Sequence, residues 1–275
     1  MQKDLKRKKV VVICGPTASG KTALSIELAK KIDGEIVSCD SMQIYKDMNI
    51  GTAKPTKKEM GGIKHYLLDY VSPTQRYSVA DYKADAKKAI KEILDKGKVP
   101  IVVGGTGLYV DSLIYEIEYP NIEFDEEYRT KLEKEVRENG LNELYLKAKK
   151  IDPIAIEKIS CNDKKRILRI LEIFKATGKT KTEVEQESRK NEPEYDYKVY
   201  ALLWDRNKLY NRINSRVDIM MKQGLIDEVK NILNKYDTFP TAMQGLGYKE
   251  VVQYLNGECT KEEMVEKIKK ETRRY

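Results

Sequence analysis

The sequence predicts an α/β fold: a parallel sheet flanked by helices and interrupted by an all-helical insertion. Short β-branched runs alternate with stretches of helical periodicity, beginning with residues 10–14 and 21–32. A glycine-rich loop joins that first pair, as in α/β proteins that bind phosphates. From about residue 123 to 188 the strand-like runs cease, and charged helix-forming sequence takes over, broken at Gly140, Asp152-Pro153 and Gly178.

Taken in order, residues 10–14 read as the first strand, ending at Gly15. Leu24, Leu28 and Ile32 recur at helical spacing in the segment that follows. Residues 35–38, 65–71 and 99–103 are the next strands, with a helix over 78–96 that Gly97 ends. After the insertion, 199–204 returns to strand-like sequence, and 207–236 reads as one or two helices separated near Gly224. The expected organisation is a core of residues 1–122 and 190–275 with an inserted helical domain at 123–189. No internal repeat or low-complexity tract is present.

Composition narrows the function classes. The 275 residues are 40% hydrophobic and 35% charged, which suits a folded protein with a heavily charged surface. No apolar run approaches the roughly 18 residues of a membrane span, and the first nine residues lack the apolar stretch of a signal peptide. A cytoplasmic location is therefore expected. Cys14, Cys39, Cys161 and Cys259 form no C-x-x-C pair, so neither a disulfide framework nor a zinc site is indicated. The net charge is +8, and 17 basic against 11 acidic residues fall between Arg129 and Lys190. That excess makes the insertion a candidate surface for a polyanion, although a solvated charged face has the same composition.

Gly15-Pro16-Thr17-Ala18-Ser19-Gly20-Lys21-Thr22 fits G-x-x-x-x-G-K-[ST] between an apolar strand and an amphipathic helix. Glycines let backbone N–H groups wrap a phosphate at the positive end of a helix, Lys21 adds a point charge, and the Thr22 hydroxyl can ligate Mg²⁺. The fold expected is thus of the P-loop NTPase type. The motif alone does not separate a nucleotide from another diphosphate. Asp40 lies just past the second strand, at the carboxyl edge where open sheets place their sites. It can ligate a metal or take a proton, or it can simply cap the next turn. Thr106, in Gly104-Gly105-Thr106-Gly107, follows the strand at 99–103 to the same edge, where a plain glycine turn is the alternative. Lys165, Arg166 and Arg169 share one helical face suited to nucleic-acid phosphates. His65, the single histidine, and Trp204, the single tryptophan, read as structural, Trp204 as core.

Through GPTASGKT, the run Asp40 to Tyr45 (DSMQIY), Gly51 to Pro55 (GTAKP) and Gly104 to Tyr109 (GGTGLY), the sequence resembles the bacterial tRNA dimethylallyltransferases, also called tRNA isopentenyltransferases. The match continues through Cys161-Asn162-Asp163, Arg166 to Arg169, Arg212, Arg216 and Gln244 to Tyr248, and covers nearly the whole chain. Family members usually continue beyond the Thr272-Arg273-Arg274-Tyr275 position with a basic, aromatic segment. An incomplete chain with reduced RNA affinity is therefore expected.

The resemblance implies that the loop, Gly15 to Thr22, holds dimethylallyl diphosphate rather than using ATP as a phosphoryl donor. It implies that Lys21, Arg216 and Thr22 with Mg²⁺ neutralise the departing pyrophosphate, with Asp40 as the base for an adenine amine. Asp40, Arg216 and Thr106 are thus the expected catalytic residues. Expected contacts to the tRNA anticodon stem and loop are Asp40, Ser41, Met42, Gln43, Thr106, Arg129, Lys165, Arg166, Arg169, Gln244, Gly247 and Tyr248. A monomer without an obligate protein partner is expected. The other readings are an isopentenyltransferase acting on free adenylates, a P-loop kinase of a small metabolite, and a non-catalytic RNA-binding GTPase or ATPase module. The basic insertion favours a large RNA acceptor over a free nucleotide, and no N-K-x-D signature supports a GTPase.

Overall fold

The computed structural model describes residues 7–119, 125–189 and 191–274. The chain divides into two compact units, Met1–Ile114 with Pro193–Tyr275, and Tyr115–Glu192. The boundaries expected from sequence at 122/123 and 189/190 touch residues 120–124 and 190, which lie outside the described residues.

The first unit is built on five parallel strands, β1 (Lys9–Cys14), β2 (Gly34–Ser38), β3 (His65–Tyr66), β4 (Val99–Gly104) and β5 (Asp196–Ala201), in the order β3-β2-β4-β1-β5. Crossover helices cover both faces, which is why the central strands read as unbroken apolar runs. Alternate side chains go to opposite faces. Ile13, Ile36, Ile101 and Val103 pack with Ile26 and Ala29 of α1 (Lys21–Ile32). Val10, Val12, Val37 and Val102 pack on the other side with Tyr82, Ile90 and Ile93 of α2 (Val79–Asp95) and with Tyr109 and Leu113 of α3 (Gly107–Ile114). Each buried Val, Ile or Leu among them contributes about 1.5–3 kcal/mol relative to exposure. Helix α1 buries Ser25, Ile26 and Ala29, while Leu24 of the expected stripe is exposed.

Helix α2 begins where the sequence marks it: the Ser78 hydroxyl accepts from Asp81 N–H, and the Asp81 carboxylate accepts from Ser78 N–H. The strand expected over 65–71 is only two residues long. Leu67 and Asp69 take left-handed φ values of 59° and 56°, which break the pleat, and Val71 rejoins the chain through an isolated bridge to Tyr45.

Among its described residues the second unit carries helices and no strand. It comprises α4 (Glu126–Asn139), α5 (Leu141–Ile151), α6 (Pro153–Ile156), α7 (Lys164–Thr177) and α8 (Lys181–Glu187) around Leu132, Leu144, Ala148, Ile156, Ile167, Leu168 and Leu171. Asp152 explains the break before Pro153. Its buried carboxylate accepts from Ala155 N–H, Thr182 N–H and the Thr182 hydroxyl at 2.7–2.9 Å, tying α6 to α8. Burial alone raises its pKa, but those donors outweigh burial and hold the carboxyl below its ordinary value.

The chain then returns to the first unit through β5, α9 (Arg206–Lys222), α10 (Leu225–Lys235), α11 (Tyr248–Leu255) and α12 (Lys261–Arg274). Gly224, at φ 95°, separates α9 from α10. These helices pack Val217, Leu225, Val229, Val251 and Ile268 against Ile44, Tyr45 and Met48.

Candidate active site

The carboxyl ends of β1, β2 and β4 carry the three motifs. The phosphate loop leaves β1 at Gly15 and enters α1 at Gly20, whose φ is 93° and which offers no side-chain cap. The first-turn N–H groups of α1 are therefore available to an anion. Across the sheet, Cys39 N–H donates to Val103 O at 2.7 Å and Thr106 N–H donates to Cys39 O at 3.3 Å. Gly105 sits against the loop, where a Cβ would come within 3.3 Å of Gly15 O and 3.8 Å of the Lys21 ammonium.

Asp40 stands between these elements. Its Oδ1 accepts from Met42 N–H at 2.9 Å and from Gln43 N–H at 3.2 Å, so the capping reading is correct for one oxygen. The carboxylate also acts electrostatically on both Lys21 and Arg216. The Thr106 hydroxyl accepts from Ser41 N–H at 3.0 Å and so fixes the peptide after Asp40. Gln43 donates through Nε2 to Thr52 O at 3.1 Å, joining the DSMQIY turn to the GTAKP loop. Lys54 of that loop donates to Tyr45 O at 2.6 Å and to Asp69 at 2.7 Å.

Two cations face the loop. The Lys21 ammonium donates to Gly15 O at 2.9 Å and to Pro16 O at 2.7 Å. Burial lowers its pKa below the ordinary lysine value, Asp40 pulls it up, and Arg216 adds to the lowering. Arg216, on α9, donates through Nη1 to the Thr17 hydroxyl at 3.2 Å, and burial lowers its pKa against the opposing pull of Asp40. Two cations and one carboxylate, partly withdrawn from water, leave a net positive charge beside uncapped helical amides. That arrangement stabilises an oxyanion. Thr22, in the first turn of α1, is exposed. No group of three or more His, Cys, Asp or Glu able to hold a metal occurs among the described residues. The exposed Thr22 hydroxyl is the group at the loop that could reach a divalent cation brought by a bound anion.

Several expected contacts lie elsewhere or do other work. Tyr248 is fully buried and donates to Glu228 at 2.6 Å, and a Cβ on Gly51 would come within 2.5 Å of its ring. It is a core residue and cannot stack on a base. Gly247 is likewise buried, at φ 92° before α11. Gln244 is exposed, and Met42 packs so closely on Gly245 that a Cβ there would lie 2.5 Å from its sulfur. In the second unit, Lys165, Arg166 and Arg169 are exposed on α7, with Arg166 paired to Asp163 and Arg169 to Glu172 at 3.5 Å each, and Arg129 is bound to Glu172 at 2.6 Å and to Glu133 at 3.2 Å.

Trp204 and Glu228, each of which holds a loop, escape sequence reasoning. Trp204 is 41% exposed, not core, and its indole N–H donates to Ser19 O at 2.9 Å. Glu228 of α10 accepts from the N–H groups of Asn49, Ile50 and Gly51 at 2.7–3.1 Å, stapling the loop that Gln43 contacts. A partly buried glutamate in an amphipathic helix gives no signal of this. The four cysteines are free thiols, and burial pushes Cys39 up to about 12. No described helix is long and apolar enough to cross a membrane.

Residues 43–275 match the model of the IPP transferase family. A tRNA dimethylallyltransferase of Acetivibrio thermocellus is 53% identical over 267 residues, 97% of this chain and 85% of its own length. One from Caldanaerobacter subterraneus is 50% identical over 271 residues, 97% of this chain and 86% of its own. Among solved structures, the tRNA isopentenylpyrophosphate transferase of Bacillus halodurans superposes with a TM-score of 0.70 at 42% identity, covering 98% of this chain and 84% of that one. A eukaryotic dimethylallyltransferase acting on tRNA gives a TM-score of 0.80 at 32% identity, covering 98% and 68%. With the phosphate loop, Asp40 and Thr106 at one sheet edge and relatives of this identity along almost its full length, the chain belongs to the IPP transferase family, that of the tRNA dimethylallyltransferases.

Proposed function

We propose that this chain transfers a dimethylallyl group from dimethylallyl diphosphate to the exocyclic amine of the adenosine 3′ of the anticodon in tRNA, releasing pyrophosphate. The observation that carries the reading is the meeting at one sheet edge of Lys21 on the Gly15 and Pro16 carbonyls, Arg216 on the Thr17 hydroxyl and Asp40 on the Met42 and Gln43 amides, with the Asp40 charge near enough to act on both cations.

The C1–O bond of the donor breaks as the amine nitrogen bonds to C1. Charge grows on the departing diphosphate, and Lys21, Arg216 and the first-turn amides of α1, gathered at the phosphate loop, neutralise it. The amine is a poor nucleophile because its lone pair is delocalised into the ring. A carboxylate that accepts its proton as the new bond forms removes the positive charge from nitrogen, and Asp40, held by two N–H groups on Oδ1, takes that proton. The Thr22 hydroxyl would hold Mg²⁺, which when bound would supply further neutralisation of the leaving charge. Thr106 holds the Asp40–Ser41 turn in place. To reach the donor the base must leave its stack. The exposed Lys165, Arg166 and Arg169 fit the phosphates of the anticodon arm, and the enzyme works as a monomer.

The test is incubation with labelled dimethylallyl diphosphate, Mg²⁺ and unmodified tRNA, with AMP, ADP and ATP as competing acceptors. Label in tRNA alone is the expected result, and label in a free nucleotide alone would refute the RNA acceptor.

A further inference from the structure

Trp204 is the single tryptophan of the chain, and its place was not legible in the sequence. It follows β5, is 41% exposed, and donates its indole N–H to Ser19 O at 2.9 Å. Arg212, one turn before Arg216 on α9, donates through Nε to Ala18 O at 2.7 Å, and its guanidinium lies 4.4 Å above the indole ring. Two consecutive carbonyls of the phosphate loop are thus gripped by a stacked pair. The loop needs such a grip. Ala18 has a φ of 60°, a left-handed conformation that costs a residue bearing a Cβ, and the buried Ser19 hydroxyl has no hydrogen-bond partner among the described residues.

In a planar trans peptide the C=O and N–H point in opposite directions. Holding the Ala18 and Ser19 carbonyls toward Arg212 and Trp204 therefore turns the N–H groups of Ser19 and Gly20 away from that pair, to the opposite side of the loop. Arg212 forms no ion pair with a carboxylate among the described residues, so its charge also adds to the positive potential there.

We propose that Trp204 and Arg212 are positioning residues of the diphosphate site, a clamp that presets the Ser19 and Gly20 amides for the anion and makes the indole a reporter of its occupancy. The proposal rests on the reading of the loop as a diphosphate site. Trp204→Phe keeps the ring that Arg212 stacks on and removes the N–H. Its KM for dimethylallyl diphosphate and its inhibition constant for pyrophosphate rise about threefold to tenfold, the loss of one hydrogen bond, while KM for tRNA stays at the parent's value. Arg212→Lys, which keeps a donor but loses the planar stack, changes the same two constants in the same direction.

In the parent protein, Mg²⁺ with inorganic pyrophosphate shifts the tryptophan emission, and Lys21→Ala abolishes that shift. An unchanged donor KM in Trp204→Phe, or no emission change at pyrophosphate concentrations that inhibit turnover, overturns the clamp and leaves the proposed reaction standing. Absence of dimethylallyl transfer to any acceptor refutes the proposed reaction instead. The pyrophosphate titration still decides the clamp in that case, and it needs no variant to fold.

Discussion

A β-carbon on Gly104 would stand 1.9 Å from the carbonyl oxygen of Cys39, so the end of β4 and the end of β2 meet backbone to backbone. Neither partner can yield, because Cys39 is paired to both β4 and Thr106 through its own N–H and C=O. Gly104→Ala is expected to destabilise the protein by more than about 3 kcal/mol in urea unfolding. Gly107→Ala, where a Cβ meets nothing within 4 Å in the first turn of α3, should be neutral or slightly stabilising. Equal stability of the two variants would mean that the two strand ends are not in contact.

Asp40→Asn preserves Oδ1 and with it the bonds from Met42 and Gln43, so the turn should survive. Donor and tRNA binding stay near those of the parent, while turnover falls about 100-fold or more. Turnover equal to the parent's would remove Asp40 from the reaction.

Lys21→Ala and Arg216→Ala should lower kcat more than they raise donor KM, because the charge they meet grows in the transition state. A pH dependence follows from Lys21. Burial holds its free-state pKa below the ordinary 10.5, and a bound diphosphate favours the charged form and raises the pKa again. Pyrophosphate affinity is therefore complete below the free-state pKa and is lost as pH rises through it, an alkaline limb that begins below 10.5. Lys21→Arg remains charged and should abolish the limb, as a pyrophosphate inhibition series between neutral and alkaline pH will read.

Neutralising Arg166 and Arg169 together should weaken tRNA binding and reduce the slope of log K against log salt by about two units, one per lost phosphate contact. Donor binding measured without RNA should be that of the parent. Normal tRNA binding at every salt concentration would reduce the α7 charges to a solvated face.

Tyr248→Phe separates packing from recognition. Losing the bond to the Glu228 carboxylate should cost about 1–3 kcal/mol of stability, with the salt slope of tRNA binding unchanged. A changed slope at unchanged stability would restore Tyr248 as an RNA contact.

The sequence by itself determined the order of most elements and the chemistry of the edge, though not the bounds of the strands near 65–71 and 199–204. Gly15 to Thr22 must lie between strand and helix, and β-branched runs buried on both faces must form a parallel sheet, because those requirements are local: φ values that only glycine adopts without strain, periodicity, caps such as Ser78. Placement of Asp40 and Thr106 at the carboxyl edge followed from the strands that precede them. Only the tertiary structure decided which side chains from distant segments converge there. That Trp204 and Arg212 reach across some 185 residues or more to Ser19 and Ala18, and that Glu228 gathers three amides of a loop 177 or more residues away, leaves no trace in spacing. The same holds for the burial of Tyr248. A tyrosine's aromatic body suits core and surface alike, and its choice is made by the partner that its hydroxyl finds, here Glu228 of α10.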